Sequence, residues 1–286
     1  MMELDRRKFL KASMALSLYG YLGLNSSFAQ GAKRQTSFSS ETILKKFPES
    51  YQTNPCRIFL EQYKAPENNY DFSKDQKLYF DNIVWEGEGR QGNGYSNENI
   101  GYMNVERKHK GDEVIYKVAQ FVAGISIKGE ICCDKKNFLA LKSFDIKYDS
   151  LVLKNEELAR LGKLYYKGEV KKGKISLDYG NIKEEILCED LPILTQWQLV
   201  DALHLYPEFG KGKSHYFYYD CYTPLAKRRL RADKKTNSLG VDNIVLNSWL
   251  SYGEALPPYH FLTLDDKMPI GLTAFTNCWI IKKIEG

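Results

Sequence analysis

Short runs rich in Tyr, Val, Ile and Phe alternate with clusters of Gly, Asn, Asp and Lys along most of the chain. This pattern is typical of β-strands joined by tight turns. It predicts strands at residues 78–86, 100–108, 113–122, 126–132, 138–148, 163–170, 174–179, 182–187, 215–222, 227–232, 241–252, 259–264, 268–275 and 278–284. Their even spacing predicts a mainly β fold, in which an antiparallel meander forms a barrel or a strongly curved sheet.

One segment, residues 190–206, has a different period. Apolar side chains recur at positions 191, 194, 197, 200 and 203, which fall on one face of a helix. Asp190 suits an N-cap and Pro192 suits the first turn. The segment therefore predicts a single amphipathic helix at about 190–206 that covers or plugs the sheet, with Trp197 as its main buried contact.

The N-terminus has the parts of a cleavable export signal in order. A basic start with Arg6 and Arg7 precedes an apolar stretch at 12–24, and the small-x-small site Ser27-Phe28-Ala29 predicts cleavage after Ala29. The apolar stretch is shorter than the roughly twenty residues of a transmembrane helix. These residues predict a removable segment and no stable membrane anchor.

Residues 5–29 resemble a signal of the bacterial twin-arginine pathway, with Arg6 and Arg7 as the recognised pair. The resemblance implies export in the folded state, a periplasmic location and the twin-arginine machinery as a partner. An ordinary secretory signal that contains two arginines by chance is the alternative. Since the first cysteine is Cys56, no lipid-anchored product is expected.

The rest of the chain divides into two parts. Residues 30–75 are polar and interrupted by prolines, which predicts an irregular N-terminal strap, and residues 76–286 form a single β-rich domain. Residues 1–29 carry four basic and two acidic side chains, which leaves about +3 of the formal +5 on the remainder. Such a small balance predicts no nucleic-acid partner.

Candidate cofactor motifs fail on their context. Gly87-Glu88-Gly89-Arg90-Gln91-Gly92 spells GxGxxG, but the hairpin signal Asn93-Gly94 follows where a dinucleotide site needs a helix. The six cysteines contain no CxxC pair, so no metal site and no cofactor are expected. Cys132 and Cys133 are adjacent, so on a strand they face opposite sides, and disulfides among the six remain an open alternative.

A ligand site, if present, is expected among a few aromatic and basic residues. His215 shares a strand face with Tyr219, and His260 shares one with two leucines, which predicts an inward position. Arg229 lies between Lys227 and Arg231 on one face of its strand, whereas Arg228 lies beside Ala226 and Leu230 on the other. The candidate ligand-binding residues are Trp197, His215, Tyr219, Arg229 and His260, and no catalytic residue is assigned.

The C-terminal half resembles uncharacterised exported β-meander domains of unknown function. The resemblance rests on the helix that ends at Pro207, on the arginine-rich strand at 227–231, and on Pro257-Pro258-Tyr259-His260-Phe261-Leu262-Thr263-Leu264-Asp265-Asp266, which leads into Pro269-Ile270-Gly271-Leu272. It supports the fold and implies no activity.

Three functions fit these features. The first is a non-enzymatic periplasmic protein that binds an apolar or amphipathic small molecule or lipid in a barrel-like cavity. The second is a periplasmic hydrolase or lyase in which His215 or His260 works with a carboxylate or tyrosine. The third is a structural or assembly protein of the cell envelope. We favour the first, since no catalytic motif is found.

Overall fold

The structure, a computed structural model, describes residues 64–86, 94–122, 125–137, 139–150, 163–171, 173–178, 183–206, 214–218, 226–239, 244–253, 259–265, 267–274 and 277–286. In this part of the chain, fifteen strands form one sheet that accompanies a short α-helix and a single 3-10 turn. The predicted signal at 1–29, with Arg6, Arg7 and Ala29, lies outside the described residues. So does most of the predicted strap.

The strands are β1 (Gln76–Glu86), β2 (Gly94–Lys110), β3 (Glu113–Val122), β4 (Ile125–Asp134), β5 (Ala140–Ser150), β6 (Lys163–Lys171), β7 (Lys174–Asp178), β8 (Lys183–Leu187), β9 (Ile193–Thr195), β10 (Ser214–Tyr218), β11 (Ala226–Leu239), β12 (Ile244–Gly253), β13 (Tyr259–Leu264), β14 (Met268–Ala274) and β15 (Asn277–Glu285). All fourteen predicted strands are confirmed, and their ends shift by a few residues. The fifteenth, β9, was not predicted.

The sheet is an antiparallel meander with one rearrangement. Its order is β8-β7-β6-β5-β4-β3-β2-β1-β15-β14-β13-β12-β11-β10-β9, and the last strand, β15, pairs with the first, β1. Every neighbouring pair is antiparallel except β9 and β10, which are parallel. The meander predicted from the turn spacing is therefore confirmed.

Curvature follows from one contact between distant strands. β5 and β9 are eleven steps apart in the sheet order, which in a flat sheet is about 50 Å at roughly 4.8 Å for each step. The two strands are nevertheless in contact. The sheet must therefore curl back on itself, and in the described residues its hydrogen-bonded order still has two ends, β8 and β9.

Helix α1 (Gln196–Ala202) lies on the inner side of the curled sheet, the lumen, and a 3-10 turn at Leu203–Leu205 follows it. It contacts β3, β9 and β14, and all seven of its residues are buried. The predicted plug is thus confirmed, but the helix is shorter than predicted. Residues 193–195 are strand β9, and Thr195 and Gln198 form the capping box that begins the helix.

The strands of the first half alternate between the lumen and the exterior. On β3, Val114, Tyr116, Val118 and Gln120 are buried, and the residues between them are more exposed. On β13 the first five residues are all buried, so this part of the sheet is covered on both faces. No helix in the described part of the chain is long and apolar enough to cross a membrane.

The cysteines behave as the strand pattern predicted. Cys133 is buried, while Cys132 is half-buried, and both are free together with Cys188. Cys278 is disulfide-bonded. Cys56 and Cys221 lie outside the described residues.

Candidate functional site

A buried ion pair closes one end of the lumen. Arg107 on β2 binds Asp201 on α1, and neither side chain is exposed. Tyr116 donates a hydrogen bond to Asp201 Oδ2 at 2.9 Å, and Tyr70 donates one to the Asp201 carbonyl at 2.7 Å. Burial opposes the charge on Arg107, but Asp201 outweighs it and the pKa of Arg107 is raised. These contacts fix the helix and leave no polar group for a ligand.

The segment at 64–75 completes this closed end. Arg107 donates hydrogen bonds to the carbonyls of Asp71 and Lys74, at 2.8 and 3.1 Å. The guanidinium also lies over the Phe72 ring, 4.6 Å from its centroid. The described part of the strap is irregular and lies against the sheet, because a β2 side chain binds its backbone.

A second polar contact lies further along the lumen, at the start of α1. Gln120 Oε1 on β3 accepts hydrogen bonds from Trp197 Nε1 at 3.1 Å and from Gln196 Nε2 at 3.2 Å. Trp197 is fully buried, as predicted for the main contact of the helix. Because its indole N–H already has a protein acceptor, Trp197 contributes only apolar surface to any ligand.

The next layer of the lumen is built by one row of directly paired residues. Asn82 pairs with Trp279, and the row continues through Leu272 and Phe261 to Trp249. Residues paired in this way share one face of a sheet. Asn82 follows Phe80, whose pairing through Met103 leads to Gln120, so this face is the one that contacts α1.

Three residues of this row form the donor layer: Asn82, Trp249 and Trp279. They are 0%, 8% and 2% exposed. Among the described residues, neither amide atom of Asn82 and neither indole nitrogen of Trp249 and Trp279 has a hydrogen-bond partner. Since more than nine in ten buried polar groups in proteins are hydrogen-bonded, a row with three such side chains needs an explanation.

A buried arginine lies beyond the donor layer. Arg228 on β11 is not exposed, and it donates hydrogen bonds to Ser251 Oγ at 3.1 Å and to the Ser251 carbonyl at 2.6 Å. Its guanidinium carbon lies 5.5 Å from the centroid of the Tyr259 ring. Ser251 is two residues after Trp249 on β12, so it occupies the next row of the same face.

His215 lies in the same part of the lumen. It pairs with Arg228 across β10 and β11 and is fully buried. Burial, and then the charge of Arg228, lower the pKa of His215 to about 3. The imidazole is therefore neutral and very weakly basic near neutral pH, which is a poor match for a general base.

The other candidate residues lie elsewhere. His260 is buried, but its pairing with Leu250 and Thr273 places it on the outer face, opposite to His215. Arg229 is exposed on the outer face of β11, and Arg228 takes the inner position. Tyr219 lies outside the described residues. Of the five predicted residues, the structure brings Trp197 and His215 to the lumen.

Sequence reasoning missed the donor layer and the inner arginine. Alternation on β1 could have found Asn82, since it follows the buried Leu78 and Phe80 on the same face. Arg228 had been placed on the apolar face of its strand, but that face was not taken as the lumen.

Two grooves lie on the outer surface. One of about 590 Å³ is formed by β4 to β8, with Cys132, Asp145 and Lys167 in its lining. Another of about 550 Å³ is formed by β1, β2 and β15 and includes Tyr79 and Tyr102. Neither contains the donor layer. Comparison with protein-family models, curated proteins and solved structures found no match for this chain.

Proposed function

We propose that this chain is an exported periplasmic protein that binds one small apolar or amphipathic molecule in its lumen. The observation that carries the proposal is the donor layer. Its polar atoms are buried beside Phe261 and Leu272, which combine the apolar surface and the few orienting polar groups of a small-molecule site. The ligand is small, since α1 already occupies much of the lumen.

The chemistry of the donor layer defines what the ligand must supply. An indole nitrogen only donates a hydrogen bond, and a carboxamide both donates and accepts. Trp249, Trp279 and Asn82 together thus favour a ligand with at least two acceptor oxygens on an otherwise apolar body. An unmet donor in the interior costs roughly 1–3 kcal/mol, so acceptors at these places contribute substantially to binding.

The periplasmic part of the proposal has separate support. Cys278 is disulfide-bonded, and structural disulfides persist in oxidising compartments such as the bacterial periplasm. The signal-like residues Arg6 and Arg7 agree with this location. Lysine at both positions keeps the charge but removes the arginine pair, so R6K/R7K should leave the protein in the cytoplasm. Continued appearance of the R6K/R7K protein in the periplasmic fraction contradicts export by the twin-arginine pathway.

The ligand proposal is tested on protein taken from its own periplasm without detergent. Native mass spectrometry should show the chain with one additional small molecule, which is released on unfolding. W279F removes one donor and should reduce the bound fraction, whereas Y102F changes an exposed tyrosine on the outer face and should not. A protein that carries no such molecule, and whose lumen is filled by its own side chains and water, contradicts the proposal.

A further inference from the structure

The inner face carries two buried arginines in opposite electrostatic settings. Arg107 is neutralised by Asp201, and its pKa is raised. Arg228 is buried as well, but burial lowers its pKa, so its surroundings as a whole disfavour the charged form. His215 feels the same positive charge, which is the second cause of its own lowered pKa.

The guanidinium of Arg228 is held in a fixed position. Two hydrogen bonds, from Nε and Nη2, attach it to Ser251, and the Tyr259 ring lies on one side of it. Arginine remains protonated in proteins, so the charge persists despite burial. A fixed, dehydrated guanidinium is a strong binding group for a carboxylate, because its N–H groups match the two oxygens.

The position of this charge relative to the donor layer is equally informative. Ser251 lies one row beyond Trp249, and a row is about 7 Å, the rise of two residues on a strand. A ligand whose oxygens contact Arg228 therefore extends its body towards Trp249 and Phe261.

We infer that Arg228 binds the carboxylate of an amphipathic ligand whose apolar body lies on the donor layer. This inference rests on the proposed function, since it names the ligand class for the same lumen. It moves the basic binding residue from the predicted Arg229 to its inner neighbour. His215, neutral beside Arg228, adds no competing charge.

A matched pair of probes tests the ligand class on the unaltered protein. Octanoic acid and methyl octanoate share the same chain, and only the acid carries a charge. Calorimetric titration should give an affinity about tenfold or more higher for the acid, since hydrogen bonds to charged groups contribute roughly 1.5–3 kcal/mol. Equal affinities overturn the carboxylate inference but leave the proposed function intact. Binding of neither probe contradicts both.

Two arginine variants locate the charge. R228M removes the inner guanidinium and should abolish the preference for the acid while the ester still binds. R229M removes an arginine from the exposed face of the same strand and serves as the matched control, in which the preference should persist. If R229M loses the preference and R228M keeps it, the anion binds the outer surface and the inference is wrong. Should R228M fail to fold, the probe pair on the unaltered protein still decides.

Discussion

At the scale of single residues, Asp201 and Arg107 provide the clearest test of stability. Both side chains are fully buried, so D201N leaves a guanidinium in the interior without its carboxylate. Breaking a buried pair in this way costs about 3–5 kcal/mol, and urea unfolding should show a loss of this size. D112N, which breaks the exposed pair of Asp112 and Lys136, is the control and should leave the unfolding midpoint unchanged.

His215 predicts a dependence of stability on pH. Its pKa falls from an ordinary 6.5 to about 3 on folding, so the unfolded chain binds a proton more readily. The stabilisation is complete above the unfolded value and is lost as the pH falls from there towards 3. Between about pH 7.5 and about pH 5, the loss from this one residue is roughly 2 kcal/mol.

The variant H215Q has no imidazole to protonate and should lose about that much less stability over the same pH interval. Urea unfolding of both proteins at the two pH values measures the difference. Parallel losses in the two proteins contradict the buried, neutral state of His215.

Much of the site escaped prediction at this scale for one physical reason. Alternation along a strand assigns each residue to a face, but it does not say which face becomes the lumen. His260 and His215 are both buried, yet the pairing of their strands puts them on opposite sides. Trp249 and Trp279 are ordinary core residues in sequence, and their shared row exists only because β15 returns to pair with β1.

At the scale of elements, the fold was largely predictable from the sequence. The strands follow local composition and turn signals, which is why all fourteen were predicted. Strand β9 was missed because its three residues continue the apolar pattern of the helix, and its pairing with β10 is a tertiary event. The amphipathic pattern also suggested an exposed helix face, whereas Gln196 and Gln198 find buried partners on Gln120 and Leu139.

The capping box gives a test of where the helix begins. Thr195 Oγ1 accepts a hydrogen bond from the Gln198 amide, and Gln198 Oε1 accepts one from the Thr195 amide at 3.1 Å. T195A should therefore cost about 1 kcal/mol in urea unfolding, and T195S, which keeps the hydroxyl, should cost much less. Equal losses in T195A and T195S would place the start of the helix elsewhere.

At the scale of the whole molecule, the lumen has two unlike ends. The ion pair of Arg107 and Asp201 joins β2 to the plug and seals one end, together with residues 70–76. Beyond the plug lie the donor layer and Arg228, where polar groups are buried among apolar walls. This asymmetry arises from the curl of the sheet, which brings β5 to β9, and it makes the second end the binding region.

The most direct measurement follows the indole N–H signals of the protein by NMR while octanoic acid or methyl octanoate is added. The chain has four tryptophans, so single Trp→Phe variants assign each signal. The account predicts that the signals of Trp249 and Trp279 shift as their N–H groups gain acceptors. Trp197, already bonded to Gln120, should change little. Signals of Trp249 and Trp279 that stay fixed with both probes, or a shift confined to Trp197, contradict ligand binding in the donor layer.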